Sequence, residues 1–315
     1  MKLSDLLAHK KNIEQYLIND IDVIVKQNAG HSLYVVKENE IQFPNHTQRL
    51  EQQYQQIKQS FADYQDTLNN LLNELQTHID ELTPTYLNNS HRLYSNEFAY
   101  ESIDITIARE LELPEESMTY VETRIKQHGD WRYPGMIIRP GKEKWIEHLV
   151  GCDPLYLVDI DFELFAIAMN RFNPTYQARL RTYTVKESAR KPMLTSIPDS
   201  QFSFCLVYNF FNYKPIEIIK GYLTELFNKL KPGGTVAFTF NNCDEPGAVE
   251  LVEKNFVCYT PGSLIMQLCQ NIGYETTNVR QLDTACSWVE ISKPGTLSSL
   301  RGGQNLARLK VRQKT

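Results

Sequence analysis

The stretch that decides the fold is IPDSQFSFCLVYNFFNYKPIEIIKGYLTELFNKLKPGGTVAFTF, residues 197–240. It opens with an apolar run at 202–210, continues with a segment at 216–230 whose apolar residues recur at helical spacing, and closes with an apolar run at 235–240. Short apolar runs are typical of buried strands, and longer segments with helical spacing are typical of amphipathic helices. The stretch therefore predicts a strand, a helix and a second strand.

The same alternation extends on both sides of this stretch. Further apolar runs precede and follow it, at 135–138, 154–160, 179–185, 275–279 and 286–291, and segments with helical spacing separate most of them. Alternation of this kind predicts an α/β fold, in which a doubly wound parallel sheet is covered by helices on both faces. In such sheets the ligand binds beyond the carboxyl ends of the strands. The residues that follow each strand are therefore the candidate site.

Three strand ends carry groups suited to ligand binding. Gly141 follows the first strand, where a glycine lets the backbone approach a ligand closely. Asp159 ends the second strand, where a carboxylate can accept the hydroxyl hydrogens of a ribose. Amides and aromatic rings follow the fourth strand. The candidate binding residues are Arg139, Pro140, Gly141, Asp159, Asn209 and Phe210.

At this point the residues resemble a family. The run IPDSQFSFCLVYNFFNY, a helix and then LKPGGTVAFTF resemble the second half of class I S-adenosylmethionine-dependent methyltransferases. VDIDFELF (158–165) is similar to their second strand with its acidic end, and GSLIMQLCQNIGYE (262–275) to their late helix and the following strand. The resemblance covers about 160 residues and implies a Rossmann-like methyltransferase fold with S-adenosylmethionine as cofactor. It does not identify the methyl acceptor.

The resemblance also assigns roles to single residues. It implies that Arg139, Pro140 and Gly141 lie on the cofactor loop, that Asp159 binds the ribose, and that Asn209 and Phe210 face the methionine part of the cofactor. The loop departs from the family, because Arg139 and Glu143 stand where glycine is usual. Arg139 would project into the cofactor space or pair with the cofactor's carboxylate. We also find no counterpart, after the third strand, of the residue that meets the adenine.

These departures keep two functions open. One is a methyltransferase, and the other is a catalytically inactive protein of the same fold with a structural or assembly role mediated by its N-terminal helices. Methyl transfer from a sulfonium is an in-line displacement, so an enzyme mainly has to align donor and acceptor. If a proton must leave the acceptor, Asp161, Tyr213 and Asp244 are catalytic candidates by position.

Two other functions have weaker support in the sequence. Asp153-Pro154-Leu155-Tyr156 resembles the Asp-Pro-Pro-Tyr box of amino-directed DNA methyltransferases, but it leads into the second strand instead of following the fourth. A nicotinamide-dependent oxidoreductase would carry GxGxxG after the first strand, and the sequence there lacks it.

The N-terminal part has a heptad pattern. Apolar residues recur in steps of four and three from Leu50 to Leu75, no Gly or Pro occurs from Thr47 to Leu82, and Pro84 predicts the end of the helix. A helix of about 36 residues follows from this pattern. Its stripe must pack on the first helix of the chain or on a second copy, so residues 47–82 predict either a helical hairpin or a homo-oligomer.

The predicted organisation is a helical domain over 1–83, a connector over 84–116, an α/β domain over 117–295 and a basic tail over 296–315. A short β-hairpin is expected at 32–43 and a short helix near 105–111. The tail is expected to be solvated, with contact to phosphate or nucleic acid as the alternative.

Composition and charge argue against several classes of protein. The net charge of -5 gives no overall attraction to nucleic acid or an anionic membrane. No secretory signal and no span of the roughly 20 apolar residues needed to cross a bilayer is apparent, which predicts a cytoplasmic protein without membrane contact. The six cysteines have no metal-ligand spacing, so we expect reduced, buried thiols and no metal site.

Overall fold

The computed structural model describes residues 2–17, 46–93, 113–141, 144–160, 162–188, 190–254 and 257–297. The chain divides into two units, Met1–Pro84 and Thr85–Thr315. The β-hairpin predicted at 32–43, the helix predicted near 105–111 and most of the basic tail, from 298 on, lie outside the described residues.

The described part of the first unit consists of α1 (Leu3–Leu17) and of the helix α2 (His46–Leu93) as far as Pro84. Lys10 Nζ donates to Gln76 Oε1 at 2.7 Å, so α1 lies beside the part of α2 around Gln76. Farther towards the N-terminus of α2, Ile57, Tyr64 and Leu71 are 52%, 49% and 41% exposed. The heptad stripe therefore has a stretch at 57–71 with solvent-exposed apolar residues.

The prediction that the helix ends at Pro84 is wrong, because α2 has 48 residues and Pro84 lies inside it. A proline in a helix removes one backbone hydrogen bond and costs about 3 kcal/mol. Contacts within the second unit favour the helix beyond the proline. Tyr86 Oη donates to Glu253 Oε1 at 2.9 Å, and Ser90 Oγ accepts the Tyr259 N–H at 2.6 Å. Tertiary contacts thus outweigh a local breaker.

The second unit contains a seven-stranded sheet in the order β3-β2-β1-β4-β5-β7-β6. Its strands are β1 (Gly135–Ile138), β2 (Leu155–Asp159), β3 (Leu180–Thr184), β4 (Phe202–Val207), β5 (Leu230–Asn241), β6 (Glu275–Gln281) and β7 (Cys286–Ser292). Its helices are α3 (Glu115–Gln127), α4 (Lys144–His148), α5 (Phe162–Met169), α6 (Pro174–Gln177), α7 (Ile216–Lys229), α8 (Pro246–Glu253) and α9 (Gly262–Ile272).

The sheet confirms the predicted doubly wound α/β fold. Strands β1 to β5 pair in parallel, whereas β7 runs antiparallel to both β5 and β6, which the simple alternation does not predict. Side chains alternate between the faces of a strand. On β1, Met136 and Ile138 belong to a core that includes residues of α7 and α9, and Ile137 belongs to a core that includes residues of α3, α4 and α5. Both faces are therefore covered by helices.

The two glycines of LKPGG (residues 230–234) do not end the preceding helix. Helix α7 ends at Lys229 and β5 begins at Leu230, so the glycines lie in a bulge within β5. Phe202 pairs with Leu230 and Phe204 with Thr235, which leaves extra residues on the β5 side. Gly233 has φ 77° and its N–H donates to Lys293 O at 2.9 Å. A left-handed φ is the reason that glycine suits this bulge.

All six cysteines are free and buried, as the sequence predicts. Burial raises the pKa of Cys152 to about 11 and that of Cys286 to about 12, so these thiols stay protonated at neutral pH. Within the described residues, no helix combines the length and the apolar character needed to cross a membrane.

A buried carboxylate on β7 forms an ion pair with α3 at the antiparallel end of the sheet. The Glu290 side chain on β7 is 1% exposed and accepts hydrogen bonds from Arg124 of α3 and from Trp288 Nε1 at 2.8 Å. Burial alone would raise the pKa of Glu290, but the hydrogen bonds from Arg124 and Trp288, together with the nearby His128 ring, whose Nε2 is 3.8 Å from Glu290 Oε2, outweigh it and hold that pKa well below its ordinary value. The charged form of Glu290 therefore stabilises the fold.

We expect Glu290→Gln to lower the free energy of unfolding by about 3 kcal/mol at neutral pH, because it leaves Arg124 without its buried partner. The folded-state pKa of Glu290 is depressed, so its contribution is complete above the unfolded pKa near 4.5 and is lost as the pH falls below that value. Urea unfolding between pH 7 and pH 3 measures both effects.

Glu116→Gln is the matched control. Glu116 also joins α3 to the sheet, through Arg280 at 2.9 Å, but its side chain is 87% exposed. An exposed pair contributes about 1 kcal/mol or less. Equal losses in the two variants would contradict the role given to Glu290.

Candidate functional site

The turn after β1 has two residues with a left-handed φ. Arg139 has φ 57° and Gly141 has φ 58°, and the Arg139 N–H donates to Val158 O at 2.7 Å. Among the described residues, the atom nearest to a Cβ added at Gly141 would be Arg139 O, at 4.0 Å. The glycine is therefore required by the backbone angle, and no neighbour in the described part of the chain crowds it. Pro140 is buried between them.

Asp159 ends β2 beside this turn. Its side chain is fully buried, and its Oδ1 accepts the Ile160 N–H at 2.7 Å. Arg139 Nε lies 3.6 Å from the same Oδ1, and the Arg139 side chain is 11% exposed. A buried carboxylate needs a compensating charge or hydrogen bonds. Arg139 thus reaches from the end of β1 to the carboxylate that was predicted to bind a ribose.

Phe210, which follows β4, lies next to two cations. Arg139 Cζ is 5.9 Å from the centre of its ring, and Lys214 Nζ is 4.8 Å from it. Lys214 pairs with Glu187 at 2.7 Å, and the two side chains are 8% and 10% exposed. Burial lowers the pKa of Lys214, while the Glu187 carboxylate opposes that change. Two ion pairs, Arg139 with Asp159 and Lys214 with Glu187, therefore lie around the ring of Phe210.

The structure thus brings together residues from the ends of four neighbouring strands. Arg139 follows β1, Asp159 ends β2, Glu187 follows β3, and Phe210 follows β4. Glu187 and Lys214 were not among the site residues predicted from the sequence. Glu187 follows the strand predicted at 179–185, and its pairing with Lys214 spans 27 positions, so no local pattern marks it.

Asn209, the remaining predicted binding residue, has φ 49°. Its N–H donates to Thr239 Oγ1 on β5 at 2.7 Å. An asparagine tolerates a left-handed conformation better than most residues. The turn after β4 is therefore fixed to the adjacent strand.

The three predicted proton acceptors differ in position. Asp161 lies outside the described residues. Tyr213 lies in the turn after β4, in a single 3₁₀ turn that spans Phe211–Tyr213. Asp244 Oδ2 accepts the Ser263 N–H at 2.7 Å, and its Oδ1 accepts from Ser263 Oγ at 3.3 Å. Asp244 therefore caps the start of α9.

The competing DNA-methyltransferase motif lies elsewhere. Asp153 precedes β2, at the amino end of that strand, and its carboxylate is 3.3 Å from Arg179 Nε. Because the candidate residues gather at the carboxyl ends of the strands, Asp153-Pro154-Leu155-Tyr156 is not part of this site.

The residues present fit an adenosyl group in two respects and depart from it in one. Asp159 supplies a carboxylate at the strand end, and Gly141 leaves open space beside the turn. Arg139 already contacts that carboxylate, so its side chain has to turn away before a ribose can take its place. Within the described residues, no group of three or more His, Cys, Asp and Glu side chains suits a metal ion.

The strand order and the reversed β7, with polar groups at the carboxyl edge, define a Rossmann-like sheet of the methyltransferase type. The sequence matches no protein-family model and no curated protein. Solved structures match in fold. One is a SAM-dependent methyltransferase from Aquifex aeolicus, with 16% identity, a TM-score of 0.39, and coverage of 54% of this chain and 87% of that one.

Two other solved structures show a similar likeness. The N-methyltransferase NodS from Bradyrhizobium japonicum WM9, in complex with S-adenosyl-l-homocysteine, is 12% identical, with coverage of 62% of this chain and 98% of that one and a TM-score of 0.45. The [4+2]-cyclase SpnF is 11% identical, with coverage of 56% and 81% and a TM-score of 0.46.

We expect Gly141→Ala to lower the free energy of unfolding by about 1 to 2 kcal/mol, because a side chain makes the left-handed φ costly while the added methyl group meets no close neighbour. Gly129→Ala is the control, since Gly129 is a loop glycine without a left-handed φ. Thermal or urea unfolding measures both, and an unchanged stability in Gly141→Ala would show that this turn is not left-handed.

Proposed function

We propose that the α/β unit binds S-adenosylmethionine at the carboxyl edge of β1, β2 and β4 and transfers its methyl group to an acceptor. The observation that supports the proposal is the buried Asp159 carboxylate at the end of β2, beside the open left-handed turn at Gly141. A carboxylate at this place in a Rossmann-like sheet suits the two hydroxyl groups of a ribose.

The remaining residues of the edge have roles that follow from their positions. Asp159 would bind the ribose, Gly141 would allow the backbone to approach the cofactor, and Asn209 with Phe210 would line the end of β4. Bound S-adenosylmethionine supplies an activated methyl group on a sulfonium. The chain then has to hold donor and acceptor in line and exclude water, and alignment of this kind contributes much of the rate in such transfers.

Asp161 and Tyr213 remain the candidates for accepting a proton from the acceptor. Asp244 suits this role less well, because both of its carboxylate oxygens already accept hydrogen bonds from Ser263. A proton acceptor must be within hydrogen-bond reach of the group that it deprotonates.

Arg139 has to exchange partners for this proposal to hold. In the structure its guanidinium pairs with Asp159, so ligand and Arg139 compete for one carboxylate. We therefore expect the ion pair to weaken binding of the cofactor.

Calorimetric titration with S-adenosylmethionine and S-adenosylhomocysteine tests the proposal. The wild-type chain should bind both, and Asp159→Ala should weaken binding by about tenfold or more, because one good hydrogen bond to a charged group contributes at least 1.4 kcal/mol. Absence of heat from a folded wild-type chain at millimolar ligand would end the proposal.

Two further variants sharpen the titration. Arg139→Ala removes the ion pair with Asp159 and should tighten binding several-fold, whereas weaker binding would mean that Arg139 itself holds the ligand. Asp130→Ala is the matched control, because Asp130 precedes β1 at the other edge of the sheet and pairs with Arg132. It should bind as the wild-type chain does.

Two observations favour a second candidate, a non-catalytic protein whose N-terminal helix mediates assembly. Ile57, Tyr64 and Leu71 are exposed at intervals of seven residues on α2, and Arg139 occupies the Asp159 carboxylate. Between Gln53 and Leu71 the large apolar residues keep to the two heptad positions of a coiled-coil seam. A second copy of the chain carries the same repeat, so we propose a homodimer through this seam.

The exposed area is modest, so we expect a weak dimer whose mass rises with concentration in the micromolar range. Leu71→Lys places a charge in the seam and should give a monomer at every concentration, while Asn70→Lys adds the same charge at a neighbouring exposed position outside the seam and should not. Light scattering measures the mass. A monomeric wild-type chain over the whole range would exclude this interface.

A further inference from the structure

A buried polar cluster lies behind the turn after β4. It consists of Asn212, Thr239 and Asn241, whose exposed fractions are 2%, 0% and 4%. Buried polar groups destabilise a fold unless they are hydrogen-bonded, so a cluster of three in a sheet core requires an explanation. None of the roles described above involves these side chains as a group.

The three side chains are joined to one another by hydrogen bonds. Asn212 Nδ2 donates to Asn241 Oδ1 at 2.9 Å, and Asn241 Nδ2 donates back to Asn212 O at 3.3 Å. Thr239 Oγ1 donates to Asn212 Oδ1 at 3.2 Å. Each Asn amide thus acts as donor and acceptor in one connected network, and such networks fix a single arrangement.

The network ends at the candidate site. Thr239 Oγ1, which donates its proton to Asn212, accepts the N–H of Asn209 at 2.7 Å. Asn209 has a left-handed φ of 49°, and the next residue, Phe210, carries the contacts with Arg139 and Lys214. The hydroxyl of Thr239 therefore holds the backbone from which two proposed binding residues project.

We infer that Thr239, oriented by Asn212 and Asn241, is a positioning residue for the ligand that binds at the end of β4. The inference rests on the proposed function, because the ligand is the proposed S-adenosylmethionine. Thr239 acts through the Asn209 N–H, and its own side chain is fully buried. Loss of its hydroxyl should therefore change ligand affinity in a chain that is still folded.

Three variants separate positioning from stability. Thr239→Val removes the hydroxyl and keeps the shape, and Thr239→Ser keeps the hydroxyl. Thr235→Val is the matched control on the same strand, because the hydroxyl of Thr235 is also buried and lies 3.0 Å from Ser292 Oγ, away from the site. If Thr239 only stabilised the fold, both valine variants would have a lower unfolding temperature, and the ligand affinity of the folded protein would be unchanged in both.

The readout is calorimetric titration with S-adenosylhomocysteine, at a temperature at which each variant is folded. We expect Thr239→Val to bind about tenfold more weakly, Thr239→Ser to bind within about twofold of the wild-type chain, and Thr235→Val to bind as the wild-type chain does. Equal affinity in Thr239→Val and the wild-type chain, or an equal loss in Thr235→Val, would overturn the inference.

Hydrogen exchange gives a second readout that does not depend on the ligand. The Asn209 amide should exchange about tenfold faster in Thr239→Val than in the wild-type chain, with no such change in Thr235→Val. If the wild-type chain binds no ligand, the proposed function fails, and this exchange rate alone then decides whether Thr239 orders the turn. An unchanged rate would overturn the positioning role in that case as well.

Discussion

The structure depends on one constraint, which is that β1 to β5 all run in the same direction. Parallel neighbours cannot be joined by a tight turn, so the chain must cross over between them. Helices lie in the connections from β1 to β2, from β2 to β3 and from β4 to β5. Every strand then ends at the same edge of the sheet. Arg139, Asp159, Glu187 and Phe210 are far apart in the sequence, yet they meet because each lies at or just after the end of a strand.

The charges at this edge follow from burial. A buried charge is costly unless an opposite charge lies beside it. Arg139 and Lys214 are largely buried cations, and each has a carboxylate partner: Asp159 for Arg139 and Glu187 for Lys214. Compensation of this kind keeps the edge stable without a ligand. It also means that a ligand that uses Asp159 has to displace Arg139, so the interaction that stabilises the edge opposes binding at it.

The antiparallel end of the sheet stabilises the fold, whereas the candidate site lies at the carboxyl ends of the parallel strands. Glu290 on β7 binds Arg124 of α3, and the bulge at Gly233 on β5 pairs with the segment after β7. The buried network of Asn212, Thr239 and Asn241 links this side to the turn after β4. Thr239 and Asn241 of β5 therefore connect the core of the fold to the candidate site through hydrogen bonds.

The sequence by itself determined the strands, most of the helices between them, and the strand ends where Gly141, Asp159 and Asn209 lie. It could do so because hydrophobic period and turn residues are local signals. Only the tertiary structure decided that α2 continues through Pro84, that β7 runs antiparallel, that Arg139 pairs with Asp159, and that Glu187 reaches Lys214. These features depend on contacts between residues distant in the chain, and burial makes such contacts strong enough to outweigh local preference.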